Sequence, residues 1–108
     1  MKILKISEDF TNAPGPRTIE QGQFSGELFR KNLLAPAYEE AKSHNVKLIV
    51  DLDGSYGYVT AFLEESFGGL QRDFPNDDLL KTIDIKSDEQ PGRRDRIIAY
   101  IKNAKKGK

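Results

Sequence analysis

The most constraining feature of this sequence is a near-continuous apolar run, VKLIVDL at residues 46–52, which lies between two stretches with helical periodicity. A strand that is apolar at almost every residue is typical of a buried position in a parallel sheet. Apolar side chains recur every three or four residues on both sides of the run, at Phe29, Leu33 and Ala37 and then at Val59, Phe62, Leu63, Phe67 and Leu70. This alternation predicts an α/β domain with right-handed crossovers.

Three further segments have strand character. β-prone residues lie between turn formers at residues 2–7, 17–20 and 79–85, and we predict a strand in each. Together with the central run, they make an α/β fold with a small, mainly parallel (mixed) sheet of about four strands. About three helices are expected to flank this sheet.

The ends of the helices are marked by capping residues and prolines. Ser25 is expected to cap a first helix that runs to about Ser43, with a kink or a break into two pieces at Pro36. The glycine pair at 68–69 is expected to end the second helix in a left-handed turn. Residues 90–91 are expected to open the third, since proline is tolerated at a first helical position.

Length and composition exclude several classes of protein. The 108 residues suit one domain, which we assign to residues 1–104, followed by a frayed basic tail at 105–108. Without cysteine and with a single histidine, the chain offers no thiol nucleophile, cysteine-ligated zinc or multi-histidine metal site. Charged residues interrupt every apolar run before it reaches membrane-spanning length, and we see no signal peptide, so a cytoplasmic location is expected.

Charge is balanced overall but uneven along the chain. A formal net charge of zero excludes a globally basic nucleic-acid binder. Residues 91–108 nevertheless hold seven basic side chains and one acidic one. We interpret them as a solvated helix face, whose cations suit a helix C-terminus. Nucleic acid is not an expected partner, because Tyr100 is the only aromatic residue in this segment and no recognised binding motif is present.

The candidate functional edge lies where the central strand ends, because ligands and partners meet the carboxyl ends of parallel strands. That edge holds Asp51, Asp53, Gly54, Ser55, Tyr56, Gly57, Tyr58 and Thr60. The two aspartates flank one residue and so point to the same side of a strand, where a third oxygen donor would let them hold Mg²⁺. We favour the alternative that they end the strand and accept loop amides, and we predict no metal and no cofactor.

Thr60 begins the second helix, and its hydroxyl has two candidate roles. As an N-cap it would accept a backbone hydrogen bond. As a phosphoacceptor it would place negative charge at a helix N-terminus, close to Asp51 and Asp53. Gly54 and Gly57 are a weak phosphate-loop signal, because neither the lysine of a Walker loop nor the Rossmann glycine pattern is present.

Arg17 and Arg30 are a second candidate site. They flank the expected start of the first helix, where two guanidinium groups could bind an anion. Equally, they could pin the long loop 8–24 by pairing with carboxylates. The residues leave both alternatives open.

Two blocks of sequence resemble a known family, the STAS-like domain of unknown function (DUF4325), over about residues 3–85. The first block is Gly15-Pro16-Arg17, then Gly22-x-x-Ser25-Gly26-Glu27-x-Phe29-Arg30, then Pro36. The second is Val50-Asp51-Leu52-Asp53, then Gly57-Tyr58, then AFLEESFGGL at 61–70.

The resemblance implies a fold like that of STAS domains, which are named for sulfate transporters and anti-sigma factor antagonists and are small α/β modules without enzymatic activity. In the antagonists, a histidine-kinase-like ATPase phosphorylates a serine at the start of a helix, and this breaks the complex with the partner. Ala61 has no hydroxyl at the matching turn. Thr60 is therefore the phosphoacceptor candidate that the resemblance implies, with Ser55 as the loop alternative.

These observations favour a non-enzymatic regulatory module that docks a protein partner, with a histidine-kinase-like ATPase as the candidate partner. The docking surface is expected at the 53–60 loop and the start of the helix at 60–70, and Tyr56 and Tyr58 in the loop provide aromatic anchors. The alternative is a nucleotide or small-ligand site that uses Asp51, Asp53 and the 54–57 loop. A homodimer is left open, and a catalytic role has the least support because no nucleophile, base and orienting group can be assembled.

Overall fold

The computed structural model describes residues 1–107, which form a three-stranded sheet with helices on one face. The strands are β1 (Lys2–Lys5), β2 (Leu48–Asp51) and β3 (Ile83–Lys86). All pair in parallel in the order β1-β2-β3, with Leu4 beside Val50 and Val50 beside Ile85. The central apolar run therefore pairs on both sides, and its predicted interior position is confirmed.

The sheet has three strands rather than four, and it is purely parallel rather than mixed. The predicted strand at 17–20 is wrong, because a single 3₁₀ turn at Ile19–Gln21 takes its place. Gln21 Oε1 accepts the Thr18 N–H at 3.1 Å, and the Gln21 N–H donates back to the Thr18 carbonyl. These local bonds satisfy backbone groups that a strand would have to pair with a neighbour. The predicted strand at 79–85 also starts late, because Leu79–Lys81 forms another 3₁₀ turn.

β1 ends at Lys5 and is followed by one α-helical turn, Ile6–Asp9, so the predicted strand at 2–7 is two residues too long. The first long helix, α1, spans residues 26–43 and contains one wide turn. It consists of the α-helical segment Gly26–Phe29, the π-helical turn Arg30–Leu34 and the α-helical segment Ala35–Ser43. The predicted N-cap is confirmed, since Ser25 Oγ accepts the Leu28 N–H at 3.0 Å. Pro36 lacks the N–H that would have bonded the Asn32 carbonyl, and the wide turn directly before it accommodates this gap within one continuous helix.

The second helix, α2, spans residues 60–73 and does not stop at its glycine pair. It comprises Thr60–Leu63, the π-helical turn Glu64–Gly68 and Gly69–Asp73. Gly68 and Gly69 have helical φ values of −63° and −60°, so the predicted left-handed cap is wrong. The glycines serve close packing instead. A Cβ on Gly69 would collide with the Arg30 guanidinium, and one on Gly68 with the Glu64 carboxylate.

The third helix, α3, runs over Gly92–Gly107 and packs against α2. Ile97 and Ile101 form its buried face. The helix continues through Gly107, and Lys105 Nζ donates to the Asp77 carbonyl at 2.9 Å. Fraying of the tail at 105–108 stays a prediction. The last residue of that predicted tail, Lys108, lies outside the described residues. No helix within residues 1–107 is long and apolar enough to cross a membrane.

The core lies between the helices and one face of the sheet. Right-handed crossovers between strands in sequential order put both connecting helices on the same face. Burial alternates accordingly, since Leu4, Val50 and Ile85 are buried whereas Ile3 and Asp84 are exposed. The larger buried apolar side chains are Leu4, Ile6, Phe29, Leu34, Tyr38, Leu48, Val50, Leu52, Phe62, Leu63, Phe67, Leu70, Leu79, Ile83, Ile85, Ile97 and Ile101.

Candidate functional site

The carboxylate of Asp51, the last residue of β2, is occupied by bonds within the fold. Its Oδ1 accepts the Asp53 N–H at 2.9 Å, and its Oδ2 pairs with Lys5 Nζ at 3.2 Å. Lys5 also donates to the Asp53 carbonyl at 3.3 Å. Asp51 therefore joins the ends of β1 and β2 and closes the turn that follows them.

Asp53 holds the end of β3 in the same way. Its Oδ1 accepts the Glu89 N–H at 3.0 Å, and its Oδ2 accepts the Asp88 N–H at 3.1 Å and pairs with Lys86 Nζ at 3.0 Å. Burial on its own would raise the pKa of Asp53, but these bonds outweigh it and hold the pKa below its usual range. The two carboxylates meet loop amides and lysines, and no group of three or more potential metal ligands occurs within the described residues.

The loop after Asp53 is held in place by Gly54 and Tyr58. Gly54 has φ +91°, a left-handed conformation that suits glycine, and its N–H donates to Glu89 Oε1 at 3.1 Å. The Tyr58 hydroxyl donates to the Leu52 carbonyl at 2.9 Å and lies 2.9 Å from Ser55 Oγ. Burial raises the pKa of Tyr58. Tyr58 is thus an internal anchor of the loop rather than an exposed aromatic contact.

Arg93 completes this internal anchor. Its guanidinium lies 4.7 Å above the centre of the Tyr58 ring, and the residue is buried at the start of α3. Such cation–π contacts strengthen when the cation is removed from water. Sequence reasoning missed Arg93 as a partner of the loop, because the contact spans 35 positions and appears only once α3 is docked.

The side chains of Tyr56 and Val59, in the same loop, are exposed to solvent. The Tyr56 N–H donates to the Asn12 carbonyl at 2.8 Å, but the Tyr56 residue is 87 % exposed and Val59 is 55 % exposed. A shallow groove at Val59 is lined by residues of two loops and of the first turn of α2: Pro14, Gly15, Pro16, Arg17, Gln21, Val59 and Ala61. We call Tyr56, Val59, Thr60 and this groove the carboxyl rim.

Thr60 lies at the carboxyl rim but does not cap α2. Val59 occupies the N-cap position, and Thr60 is the first helical residue. The predicted capping role is therefore wrong, and the Thr60 side chain is exposed. Ser55, by contrast, is half-buried with its hydroxyl against Tyr58.

The arginines of the second candidate site pair with carboxylates of α2. Arg17 Nη1 lies 2.7 Å from Glu64 and 3.2 Å from Glu65. Arg30 Nη1 lies 2.6 Å from Glu65 Oε2, and Arg30 Nε lies 3.0 Å from Asp73. These pairs support the alternative in which the arginines pin the long loop.

Glu64 and Glu65 are the partners of these arginines, which sequence reasoning did not identify. Arg72 and Arg17 bond Glu64 and hold the pKa of its carboxyl below the usual range. The π-helical turn at Glu64–Gly68 widens the helix where these side chains reach their arginines. Helical periodicity assumes regular turns, so it could not show this placement.

The fold and the carboxyl rim define a small α/β domain with a parallel sheet, helices on one face and an accessible edge at the strand ends. The family model of the STAS-like domain of unknown function (DUF4325) matches residues 25–93. This chain belongs to that family. The matched range contains the second resembling block and begins at Ser25, after Gly15-Pro16-Arg17. Comparisons with curated proteins and with solved structures found no match.

Proposed function

We propose that this chain is a non-enzymatic regulatory module that binds a protein partner through the carboxyl rim. The observation that carries the proposal is Tyr56, whose side chain is almost fully exposed on a backbone held by Asn12 and by the half-buried Tyr58. A large side chain on an already ordered loop buries much area on binding with little loss of conformational entropy.

The groove beside Val59, three residues after Tyr56, suits a protein interface. Val59 and the Pro14–Pro16 segment supply an apolar centre, and Arg17 and Gln21 supply polar edges. Protein interfaces combine an apolar, aromatic centre with a polar, solvent-accessible boundary. A small ligand, in contrast, is usually enclosed in a concave pocket, and this groove is shallow.

Capture of partners from a lysate of the native cells tests this docking surface. We expect the double variant Tyr56→Ala, Val59→Ser to weaken partner binding at least about tenfold, because aromatic anchors dominate interface energies. Val46→Ser is a matched control, since Val46 is an exposed apolar residue at the opposite, amino end of the strands. Equal capture by the double variant and by the native protein would contradict the proposal.

For the partner, we propose a histidine-kinase-like ATPase that phosphorylates Thr60. This rests on the resemblance to anti-sigma factor antagonists and on the exposure of Thr60 at the first position of α2. Phosphate there would be stabilised by the helix N-terminus, and it would add nearly two negative charges beside the apolar groove. The added charge would oppose burial of the carboxyl rim. Ser55 is the weaker candidate because its hydroxyl already contacts Tyr58.

Mass spectrometry of the protein from its own cells tests this modification. We expect phosphate on Thr60, and we expect Thr60→Glu to reduce partner capture as the rim variant does. Thr60→Val, which keeps the shape of the side chain, should leave capture intact. A phosphate found only at Ser55, or full capture by Thr60→Glu, would overturn the assignment to Thr60 and leave the docking proposal standing.

The alternative of a nucleotide or small-ligand site has less support. Asp51 and Asp53 are already bonded to lysines and loop amides, so a bound metal–nucleotide complex would have to break those bonds. Ligands that bind the folded state raise its melting temperature. A rise with any member of a nucleotide and Mg²⁺ panel would favour this alternative.

A further inference from the structure

Three arginines occupy the first five positions of α3: Arg93, Arg94 and Arg96. Positive charge at a helix N-terminus adds to the positive end of the helix dipole and is unfavourable. Arg93 is 5 % exposed and stacks on Tyr58, and its one hydrogen bond goes to Ser87 Oγ at 3.4 Å. Within residues 1–107, every ion pair joins residues in the range 2–88, so none of these arginines is paired with a carboxylate.

The acidic side chains near this arginine cluster are engaged elsewhere. Four of them hold lysines or loop amides at the strand ends: Asp51, Asp53, Asp88 and Glu89. Asp95 is the only acidic residue of α3, and it forms no ion pair in the described part of the chain. The start of α3 therefore carries positive charge that no neighbouring carboxylate matches, and an added anion would be stabilised there.

Thr60 lies at the same end of the molecule as this cluster. α2 follows β2 and α3 follows β3, and the two strands are parallel, so both helices begin at the carboxyl ends of the strands. The Arg93 guanidinium lies 4.7 Å above the ring of Tyr58, which is two residues before Thr60. At Gly92, the first residue of α3, no atom lies within 4 Å of the position of an added Cβ. There is thus open space at the start of α3 for a group attached to Thr60.

Thr60 and Arg96 lie on the sides of α2 and α3 that face each other. Glu64 is one turn after Thr60 and bonds Arg72 at 2.8 Å, so these three side chains share one side of α2. Further along the helix pair, Arg72 and Asn103 of α3 line one cavity. Arg96 is seven positions before Asn103, a spacing that keeps both residues on one helix face.

We propose that Arg96 binds the phosphate of phosphorylated Thr60, so that phosphorylation joins the N-terminal ends of α2 and α3. This inference rests on the proposed phosphorylation of Thr60 and names the group that receives the phosphate. In that step the Thr60 hydroxyl oxygen forms a bond to the γ-phosphorus of ATP, ADP leaves and the hydroxyl proton is released. A dianionic phosphate opposite arginines forms short, charge-assisted hydrogen bonds with a guanidinium. The buried Arg93 contributes charge rather than a direct bond.

Arg17 is the alternative receiver, because it also contacts α2 close to Thr60. Its guanidinium already bonds Glu64 at 2.7 Å and Glu65 at 3.2 Å, so a move to the phosphate would break two ion pairs. Arg96 has no ion pair to break. The charge of Glu64 opposes a phosphate one turn away, but Arg17 and Arg72 both bind that carboxylate. The phosphate is therefore expected to turn toward α3 and to leave the pairs of Arg17 in place.

Titration of the phosphate by ³¹P NMR tests the proposal, on protein made with phosphothreonine at position 60. We expect the second pKa of the phosphate to fall from about 6 to about 5, because a nearby guanidinium favours the dianion. In Arg96→Gln the pKa should return to about 6. Lys106→Gln is the matched control, since it removes one exposed, unpaired charge about 15 Å farther along α3 and should keep the low pKa. Circular dichroism of both variants verifies that they fold.

The melting temperature gives a second measurement. Phosphothreonine at position 60 should raise it in the native background but not in Arg96→Gln, because the new ion pair joins two helices. A phosphate pKa that stays near its ordinary value, or one that is equally low in Arg96→Gln, would overturn the proposal. A low pKa that is lost in Arg17→Gln instead would overturn it in favour of Arg17. None of these outcomes involves the partner, so capture experiments test the docking surface separately, and mass spectrometry tests whether cells phosphorylate Thr60.

Discussion

Gly26 lies at a close contact between α1 and α2. A Cβ at this position would come within 2.6 Å of the Phe62 carbonyl oxygen, which is backbone and cannot swing away. The same carbonyl accepts the Ser66 hydroxyl at 2.8 Å, so it is held in place. A helical glycine costs roughly 1 kcal/mol relative to alanine. Glycine is needed here despite this cost, because the methyl group of alanine would collide with the Phe62 carbonyl of the neighbouring helix.

Gly26→Ala is therefore expected to lower the free energy of unfolding by about 1–3 kcal/mol, the usual range for overpacking a core. Urea denaturation measures the change. Gly92→Ala is the matched control, because Gly92 begins α3 with no atom near the position of an added Cβ. Equal loss in both variants would show that the effect comes from the backbone and not from the contact with Phe62.

At the scale of elements, α1, α2 and the long loop are joined by one group of ion pairs. Arg30 lies in the wide turn of α1 and pairs with Glu65 in the wide turn of α2. Arg17 also pairs with Glu65 and so connects the long loop to α2. Gly69 leaves the room that the Arg30 guanidinium occupies. These residues belong to the two blocks that resemble the family. Much of the recognisable sequence thus maintains the packing of helices rather than forming a ligand site.

Arg30→Leu is expected to lower the free energy of unfolding by about 2–3 kcal/mol, because Glu65 then keeps only the more exposed Arg17 as a partner. Lys31→Ala breaks an exposed pair with Glu27 on the same helix and should cost less than about 0.5 kcal/mol. Chemical denaturation of the two variants side by side measures the difference. Similar small losses would mean that the Arg30 pairs contribute little.

At the scale of the whole molecule, several carboxyl groups hold the elements together in their charged form. Hydrogen bonds and opposite charges lower the pKa of Glu27, Asp53, Glu64 and Asp77 in the folded chain. The folded state therefore binds protons less readily than the unfolded one. Stability from these groups is present above the ordinary carboxyl pKa, about 4, and is lost as the pH falls through the lower folded values.

Melting temperatures measured across the acid range should accordingly fall steadily below about pH 4.5. Glu64→Gln should make this fall less steep, since an amide does not titrate. The variant should also melt lower than the native protein at neutral pH, where the ion pairs with Arg17 and Arg72 are lost. A profile as steep as that of the native protein would contradict the role given to Glu64.

The sequence by itself determined where the three long helices begin and which strand is interior. The Ser25 cap, the periodic apolar faces and the run at 46–52 depend on neighbours within a few positions, so they can be recognised along the chain. The fold class and the accessible edge at the strand ends followed from the order of strands and helices along the chain. Whether Tyr56 or Tyr58 would face solvent did not follow, because both lie in the same irregular loop.

Tertiary structure decided the count of strands, the purpose of the glycines and the partners of the charged groups. Arg17 and Glu64 are 47 positions apart, and Lys86 and Asp53 are 33 apart. Such pairs exist only after strand register and helix packing have brought distant segments together. Local sequence patterns indicate whether a segment is buried, but not which other segment packs against it. The hydrogen bonds and ion pairs at the carboxyl ends of the strands depend on that packing.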